Sequence, residues 1–412
     1  MKKIKQTSIY IAVIVLSIFV GYENPKLVEN PKKYYKYFFE KEKIIEKKTK
    51  SIQENKDEIK LNSFDLTKNI VFEFDDRSAF LELNEDGSDS NRIKVFTQNG
   101  YYENKEIKQK LNTPLSFYKE KEGGVRSVFK IKQEYFALIS NKNLNCYYAS
   151  IVRLSDGNKI IKSKCLPDIE NINFSGLGGG YVDTKENILI AIGTPTHSSD
   201  EIDLLSQNNN SIFGKILKIS KKDLLNKNLK EVNYEFFTKG HRNPQGMAAV
   251  NENIYAIEHG PRGGDEINII KSNNNYGWPI NSYGLPYDKK KRYHHQKLAN
   301  KHYNPIYTFL PSIAPSALSN CPSNLREYYS NNICLLGLSL RAMSLFVFLL
   351  DKDNSNLIAI EKVYLEKRLR HFGLKKDLSL HEDEDNSFYI TTDDYEVIKI
   401  KFKNFKKTYV NN

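Results

Sequence analysis

Two short stretches concentrate the side chains able to do chemistry. The first is Gly240-His241-Arg242-Asn243-Pro244-Gln245-Gly246. The second is Glu258-His259-Gly260-Pro261-Arg262-Gly263-Gly264-Asp265-Glu266-Ile267-Asn268, which is followed by Asn275-Tyr276-Gly277-Trp278-Pro279. Arg242 and Gln245, with Asn243 between them, supply forked donors that can grip a flat polyanionic ligand through bidentate hydrogen bonds. Gly260-Pro261 leaves backbone carbonyl oxygens to face a hard cation such as calcium, which prefers oxygen ligands. Polar forks and permissive glycines at two turns one hairpin apart suit loops on one face of a rigid β scaffold, where binding sites are built. The same residues would serve equally in a tight polar turn network that only stabilises the fold. On residue types alone the two readings stand side by side.

The order and spacing of these segments resemble the central signature of the sugar dehydrogenases of the glucose/sorbosone type that use pyrroloquinoline quinone (PQQ). The resemblance is dense over residues 240–284 and weaker over most of residues 63–402. It implies a PQQ site in which Arg242, Asn243 and Gln245 contact the quinone and the carbonyls of Gly260 and Pro261 face its calcium. Pro305 to Ala317, ending Leu310-Pro311-Ser312-Ile313-Ala314-Pro315-Ser316-Ala317, is similar to a family strand and loop. Ser339-Leu340-Arg341 stands where members have Ser-Leu-Lys, making Arg341 the counterpart of a cofactor-binding lysine. Arg368-Leu369-Arg370 resembles an Arg-Ile-Arg pair that binds cofactor carboxylates, with Lys375-Lys376-Asp377-Leu378 as a competing match. For Arg368 and Arg370 a surface charge is the equal alternative.

One stretch departs from the pattern. Family members carry a His before Gly-Gly-Arg-Leu, and its imidazole takes the proton from the sugar hydroxyl as hydride leaves for the quinone. Here the stretch reads Asn173-Phe174-Ser175-Gly176-Leu177-Gly178-Gly179-Gly180, so the His position falls at Ser175, Gly176 or Leu177. The Asp that orients that base is replaced in Ile192-Gly193-Thr194. Losing both together implies that proton abstraction is lost or relocated. His197 is the nearest substitute in sequence, although a loop His is more often solvated than catalytic. His241 and His259 belong to the motifs and read as structural. His294, His295 and His302 lie in a basic loop that could rim a cleft, and His294-His295 alone makes a poor metal pair.

The implied function is oxidation of an aldose by hydride transfer to PQQ with calcium assistance, impaired by the missing His. The other reading is a non-catalytic propeller that binds a sugar, an envelope component or a protein partner through the same face.

These residues need a scaffold, and the sequence points to strands. From residue 63 onward short β-rich runs alternate with Asn, Asp, Gly and Lys turns, as at residues 70–74, 148–154, 254–258 and 344–350, with no long amphipathic helix between them. The 26 Tyr and 22 Phe against 3 Met and 1 Trp suit strands better than helical bundles. The spacing fills about six four-stranded blades and leaves a large barrel or double sandwich open. The resemblance implies an all-β, six-bladed β-propeller.

Four segments follow: a signal anchor or signal peptide at 1–22, a charged stalk at 23–62, the propeller at 63–405 and a tail at 406–412. Lys2, Lys3 and Lys5 precede an apolar run over residues 9–22, a basic n-region before an h-region. The run is short against the ~20 residues of a spanning helix, and Phe19 before Gly21 makes a poor cleavage site. The expectation is an extracytoplasmic, periplasmic domain tethered to the inner membrane, or released after cleavage. The Lys- and Glu-rich stalk reads as helical from about residue 32 to residue 59. The net charge of +12 is spread along the chain among 50 carboxylates, so it reads as a solvated surface and not as a nucleic-acid footprint. Cys146 with Cys165 and Cys321 with Cys334 form two local pairs, open between disulfides and buried thiols.

Overall fold

The computed structural model describes residues 57–84, 92–115, 117–144, 146–166, 172–196, 199–287 and 301–406. The chain divides into two units, Met1–Lys56 and Asp57–Asn412. The first unit lies wholly outside the described residues.

The second unit is all β apart from short helical turns. Its first strands are β1 (Asp57–Lys60), β2 (Asp65–Glu73), β3 (Ser78–Leu83), β4 (Ile93–Thr97), β5 (Tyr101–Glu103) and β6 (Lys108–Lys110). Four antiparallel sheets of four strands follow in chain order. They are β7 (Val125–Ile131), β8 (Glu134–Asn143), β9 (Cys146–Arg153) and β10 (Asn158–Lys162); then β11 (Gly178–Asp183), β12 (Asn187–Ile192), β13 (Lys215–Ser220) and β14 (Glu235–Lys239). Next come β15 (Pro244–Val250), β16 (Asn253–Glu258), β17 (Asp265–Ile270) and β18 (Tyr307–Phe309); then β19 (Pro315–Asn320), β20 (Asn332–Ser339), β21 (Ser344–Asp351) and β22 (Leu357–Tyr364). The last strands, β23 (Leu369–Leu374), β24 (Phe388–Thr392) and β25 (Glu396–Lys403), join the first six in one sheet of order β1-β2-β25-β24-β23-β3-β4-β5-β6.

That sheet corrects the expectation of six four-stranded blades. The described residues form five sheets, none closed into a barrel, because β23 pairs in parallel with β3 through Gly373↔Leu81 and Leu374↔Glu82 and fuses two groups of strands. Antiparallel pairing of β2 with β25, from Asp65↔Lys403 to Glu73↔Glu396, closes the beginning of the unit on its end.

Strand burial follows sequence. β7 is buried throughout, as is nearly all of the apolar run of β21, whereas β6, rich in Lys, is an exposed edge. The first strands of successive sheets approach closely where side chains are smallest. A Cβ on Gly246 of β15 would lie 2.3 Å from the Leu318 nitrogen of β19, so only glycine lets these strands meet. Between the sheets pack aromatic and aliphatic clusters, the largest including Phe129, Phe136, Phe174, Leu177, Ile190 and Phe213.

Both cysteine pairs are disulfides, with Cα atoms 5.3 Å apart for Cys146–Cys165 and 5.5 Å for Cys321–Cys334. Each closes a short loop and is worth roughly 2–4 kcal/mol.

Two further expectations are corrected. Asp57–Lys60 is a strand paired with β2 and not the end of a helical stalk, because Ile59 packs its side chain onto the core while its neighbours face water. No helix among the described residues is long and apolar enough to cross a membrane. Nothing described therefore supports the membrane tether or the periplasmic location that rested on it, and the apolar run at 9–22 itself lies outside the described residues.

Candidate functional site

The first motif crosses from the end of β14 into β15, and its His sets the crossing. His241 is fully buried, with Nε2 2.8 Å from Thr238 Oγ1, Nδ1 3.1 Å from Glu258 Oε1, and its ring stacked on Tyr276. The other carboxylate oxygen of Glu258 accepts the Arg242 backbone N–H at 3.0 Å, and Asn268 Nδ2 donates to Oε1 at 3.0 Å. One buried carboxylate thus pins both motifs, which is the structural role expected for His241. Asp265 does the same one turn on: it accepts N–H bonds from Gly260 (2.9 Å), Ile313 (2.7 Å) and Ala314 (2.8 Å), tying the second motif to the loop before β19.

On this frame the Arg242 guanidinium turns back on the second motif. Nη1 donates to Gly260 O at 2.8 Å and His259 O at 3.2 Å, and the guanidinium lies over the Trp278 and Tyr287 rings at 5.3 and 6.0 Å. Asn243 Oδ1 accepts from Gly178 N (3.0 Å) and Gln245 Nε2 (3.1 Å). Gln245 Nε2 also donates to Ser175 O at 3.1 Å, and Asn243 Nδ2 reaches the same carbonyl at 3.4 Å. Two sequence-chosen residues, Asn243 and Gln245, therefore converge on the loop where the family's His would stand, while Arg242 turns to the second motif.

Of the three positions for that His, the structure leaves one. Leu177 is fully buried in the core, and a Cβ on Gly176 would lie 2.6 Å from Thr194 O. Ser175 alone is partly exposed and offers its carbonyl to the site. Its hydroxyl donates to Asn173 Oδ1 at 2.5 Å. Thr194 donates both its N–H (2.8 Å) and its hydroxyl (3.2 Å) to Arg242 O, so it fastens the two loops together and orients no imidazole. His197, His294 and His295 lie outside the described residues. His302 packs against Gly277. His259 donates from Nε2 to Pro315 O at 2.6 Å, and burial, reinforced by Arg242 and Arg370, pushes its pKa below the ordinary histidine value despite the opposing pull of Asp265.

The arginine pair near the end of the chain is split in role. Arg370 is buried and grips both oxygens of Asp393, from Nε at 2.5 Å and Nη2 at 3.0 Å, while half-exposed Arg368 reaches Asp393 Oδ2 at 2.9 Å. Burial opposes charge on Asp393, but the two guanidinium groups outweigh it and hold the carboxyl down at about 2. Arg341 is exposed, with its N–H on Ile313 O at 3.0 Å.

Sequence reasoning missed Arg126, His371 and Asp393. Arg126 is buried in β7, and its Nη2 lies 3.4 Å from Ser175 O. The signal was a charge inside the otherwise apolar run Val125-Arg126-Ser127-Val128-Phe129. His371 donates from Nε2 to Ser78 O at 3.2 Å and borders a cavity of about 200 Å³ between the first strands of the sheets, which reaches Gln245 but not Arg242.

A family model described as Glucose / Sorbosone dehydrogenase matches residues 170–398. The chain belongs to the glucose/sorbosone dehydrogenase family. It is a divergent member of that PQQ-dependent group. Aldose sugar dehydrogenase of Escherichia coli is 36% identical over 118 residues, 27% of this chain and 30% of that protein. Quinoprotein glucose dehydrogenase B of Acinetobacter calcoaceticus is 34% identical over 87 residues, 20% of this chain and 18% of that protein. An uncharacterised Synechocystis protein is 28% identical over 220 residues, 50% of this chain and 51% of that one. The chain thus spans about half or less of the curated relatives it matches. In fold it is similar to the soluble aldose sugar dehydrogenase of E. coli in its apo form, with a TM-score of 0.63 at 19% identity over 82% of this chain and 99% of that one. The PQQ-bound aldose sugar dehydrogenase of Streptomyces coelicolor gives 0.52 at 15% identity, covering 82% and 98%.

The residues present fit one of the two groups that this family implies. An anionic quinone suits a rim with Arg126, Arg242 and Arg370, and Arg126 Nε is buried without a partner. Calcium does not fit this arrangement. Gly260 O carries the Arg242 guanidinium and Pro261 O accepts from Tyr287 at 3.3 Å, so a divalent cation there would meet a positive charge. Among the described residues no cluster of three or more His, Cys, Asp or Glu could hold a metal.

Proposed function

We propose that this protein binds PQQ at the rim formed by Arg242, Asn243, Gln245 and Arg370, with Arg341 and Arg368 as outer contacts, and oxidises an aldose with it at a reduced rate. The observation that carries the reading is the convergence of Asn243 and Gln245 on Ser175 O, in the same segment whose Arg242 guanidinium turns to Gly260 O. When bound, the quinone supplies the hydride acceptor. Arg242 and Gln245 orient it, and the Trp278 and Tyr287 rings flank the Arg242 end. The residue facing the sugar hydroxyl is Ser175, whose own hydroxyl is spent on Asn173 and is too weak a base to take the proton. The proton therefore leaves to water, and turnover is slow.

The test is titration of the purified protein with PQQ, followed by quinone absorbance and Trp278 fluorescence, and then addition of aldoses. Saturable binding with slow aldose-dependent reduction is expected; absence of PQQ binding refutes the proposal. A second reading, ligand binding without turnover, is favoured by Ser175 at the base position and by the occupied carbonyls of Gly260 and Pro261. It replaces the first if PQQ binds and no aldose reduces it.

A further inference from the structure

Six lysine and arginine side chains of the described residues are buried: Arg126, Lys130, Arg153, Lys215, Arg242 and Arg370. Five have short, strong partners. Lys130 is paired with Glu82, Arg153 with Asp156, and Arg370 with Asp393. Lys215 donates to three carbonyls at 2.8–3.0 Å, and Arg242 donates to Gly260 O at 2.8 Å. Arg126 differs. No carboxylate of the described residues pairs with it, its two hydrogen bonds are long at 3.4 Å to Ser175 O and 3.5 Å to Gln98 Oε1, and its Nε has no partner. Its charged neighbours are Arg370 and Arg77, opposed by the carboxylates of Glu122 and Asp393, neither of which bonds it, and burial helped by Arg370 pushes its pKa down to about 10. A buried cation with no carboxylate in direct contact is costly, and hydrogen bonds this long recover little.

The place of this cation is as informative as its isolation. Its Nη2 reaches Ser175 O, the carbonyl that Gln245 also touches, so the unfilled donor stands at the edge of the quinone site. Arg370, the next guanidinium, already grips Asp393, a carboxylate it shares with Arg368, whereas Arg126 is paired with no carboxylate.

We propose that Arg126 is a carboxylate-binding residue of this site, and that it takes a small molecule bearing a carboxylate, either the quinone itself or an acidic sugar in place of a neutral aldose. The inference rests on the ligand site being where the proposed function puts it, next to Ser175. It adds a residue outside the motifs, and with it a charge requirement on the ligand.

The test measures dissociation constants for PQQ, D-glucuronate and neutral D-glucose with wild-type protein, Arg126→Met and Arg126→Lys. The Met variant is expected to weaken at least one anion by about tenfold to a hundredfold, the usual loss for a hydrogen bond to a charged group, with Lys partly restoring it. D-glucose binding is expected to be unaltered. Loss for PQQ alone assigns the carboxylate to the cofactor, and loss for D-glucuronate alone assigns it to the substrate. Thermal melting is expected to show the Met variant at least as stable as wild type, because an unpaired buried charge has been removed. Unchanged affinity for both anions, or wild-type protein that binds neither, overturns the proposal. So does a Met variant that fails to fold, since the guanidinium is then structural. PQQ that binds with both anions indifferent to Arg126 defeats this inference and leaves the cofactor reading standing; D-glucuronate binding sensitive to Arg126 without PQQ binding does the reverse.

Discussion

The Arg242 arm and the Ser175 arm meet at one carbonyl and are built on opposite economies. In the Arg242 arm nearly every polar group is bonded: His241 lies between Thr238 and Glu258, and Asp265 takes three backbone N–H groups. The Ser175 arm keeps the backbone of a site without its side chains. Gly176 and Thr194 still hold the loops in contact, yet partly exposed Ser175 carries a hydroxyl already bonded to Asn173. The difference teaches that scaffold and chemistry separate. A loop can keep its place through backbone bonds after the group that acted from it is gone.

The strongest way to break the comparison is to put the chemistry back. Ser175→His, with Thr194→Asp to orient the ring, is expected to raise aldose-dependent PQQ reduction by about 10² to 10⁴, the usual contribution of a general base. Gly176→His is expected to give no such gain and a less stable protein, because its Cβ meets Thr194 O at 2.6 Å. Equal rates in both variants would show that the Ser175 arm does not face the sugar.

In the Arg242 arm the largest loss is expected from Asp265→Ala. It strands the N–H groups of Gly260, Ile313 and Ala314, and unfolding free energy should fall by about 3 kcal/mol or more in urea titrations. A fall no greater than that of an exposed Asp would mean that the arm is held by its packing instead. Arg242→Ala tests binding and frame together: PQQ affinity should drop by about 1.5–3 kcal/mol, and the melting temperature should fall as well because the guanidinium bonds Gly260 O and His259 O. An unaltered affinity assigns Arg242 to the turn network that the sequence left equally open.

Much of this was legible in residue order. The motifs at 240–284 stood out because backbone-permissive glycines and forked side chains lie close together in sequence, although residue types alone left their role open. The strand texture gave the all-β class for the same local reason. What joins distant segments was not legible: the parallel pairing of β23 with β3 that fuses two groups of strands, the convergence of Gln245 and Arg126 on Ser175, and the seizure of Gly260 O by Arg242. Ile59 was assigned to a helix because charges flank it, and only its pairing with Leu66 makes it a strand residue. Asp393 had no motif to mark it, since its part is to neutralise arginines more than twenty residues earlier.

That last pair supplies a control for the comparison, because it places on the same rim a charge that is fully answered. Asp393 is held at about 2 against an ordinary 3.8, chiefly by Arg370 working against burial. The folded protein therefore gives up this proton more readily than the unfolded chain, so the stability it contributes is whole above about pH 4 and disappears as pH falls toward 2, amounting to at most about 2 kcal/mol. Unfolding free energies measured from pH 6 to pH 2 should fall more steeply below pH 4 in wild type than in Asp393→Asn. Ser175→Ala should keep the wild-type slope, because Asn173, Ser175, Gly176 and Thr194 have no group that titrates in that window. If Asp393→Asn follows the wild-type profile, the latch does not hold Arg370. Arg370 would then be as free as Arg126 to meet a carboxylate, and the contrast between answered and unanswered charge on this rim would fail.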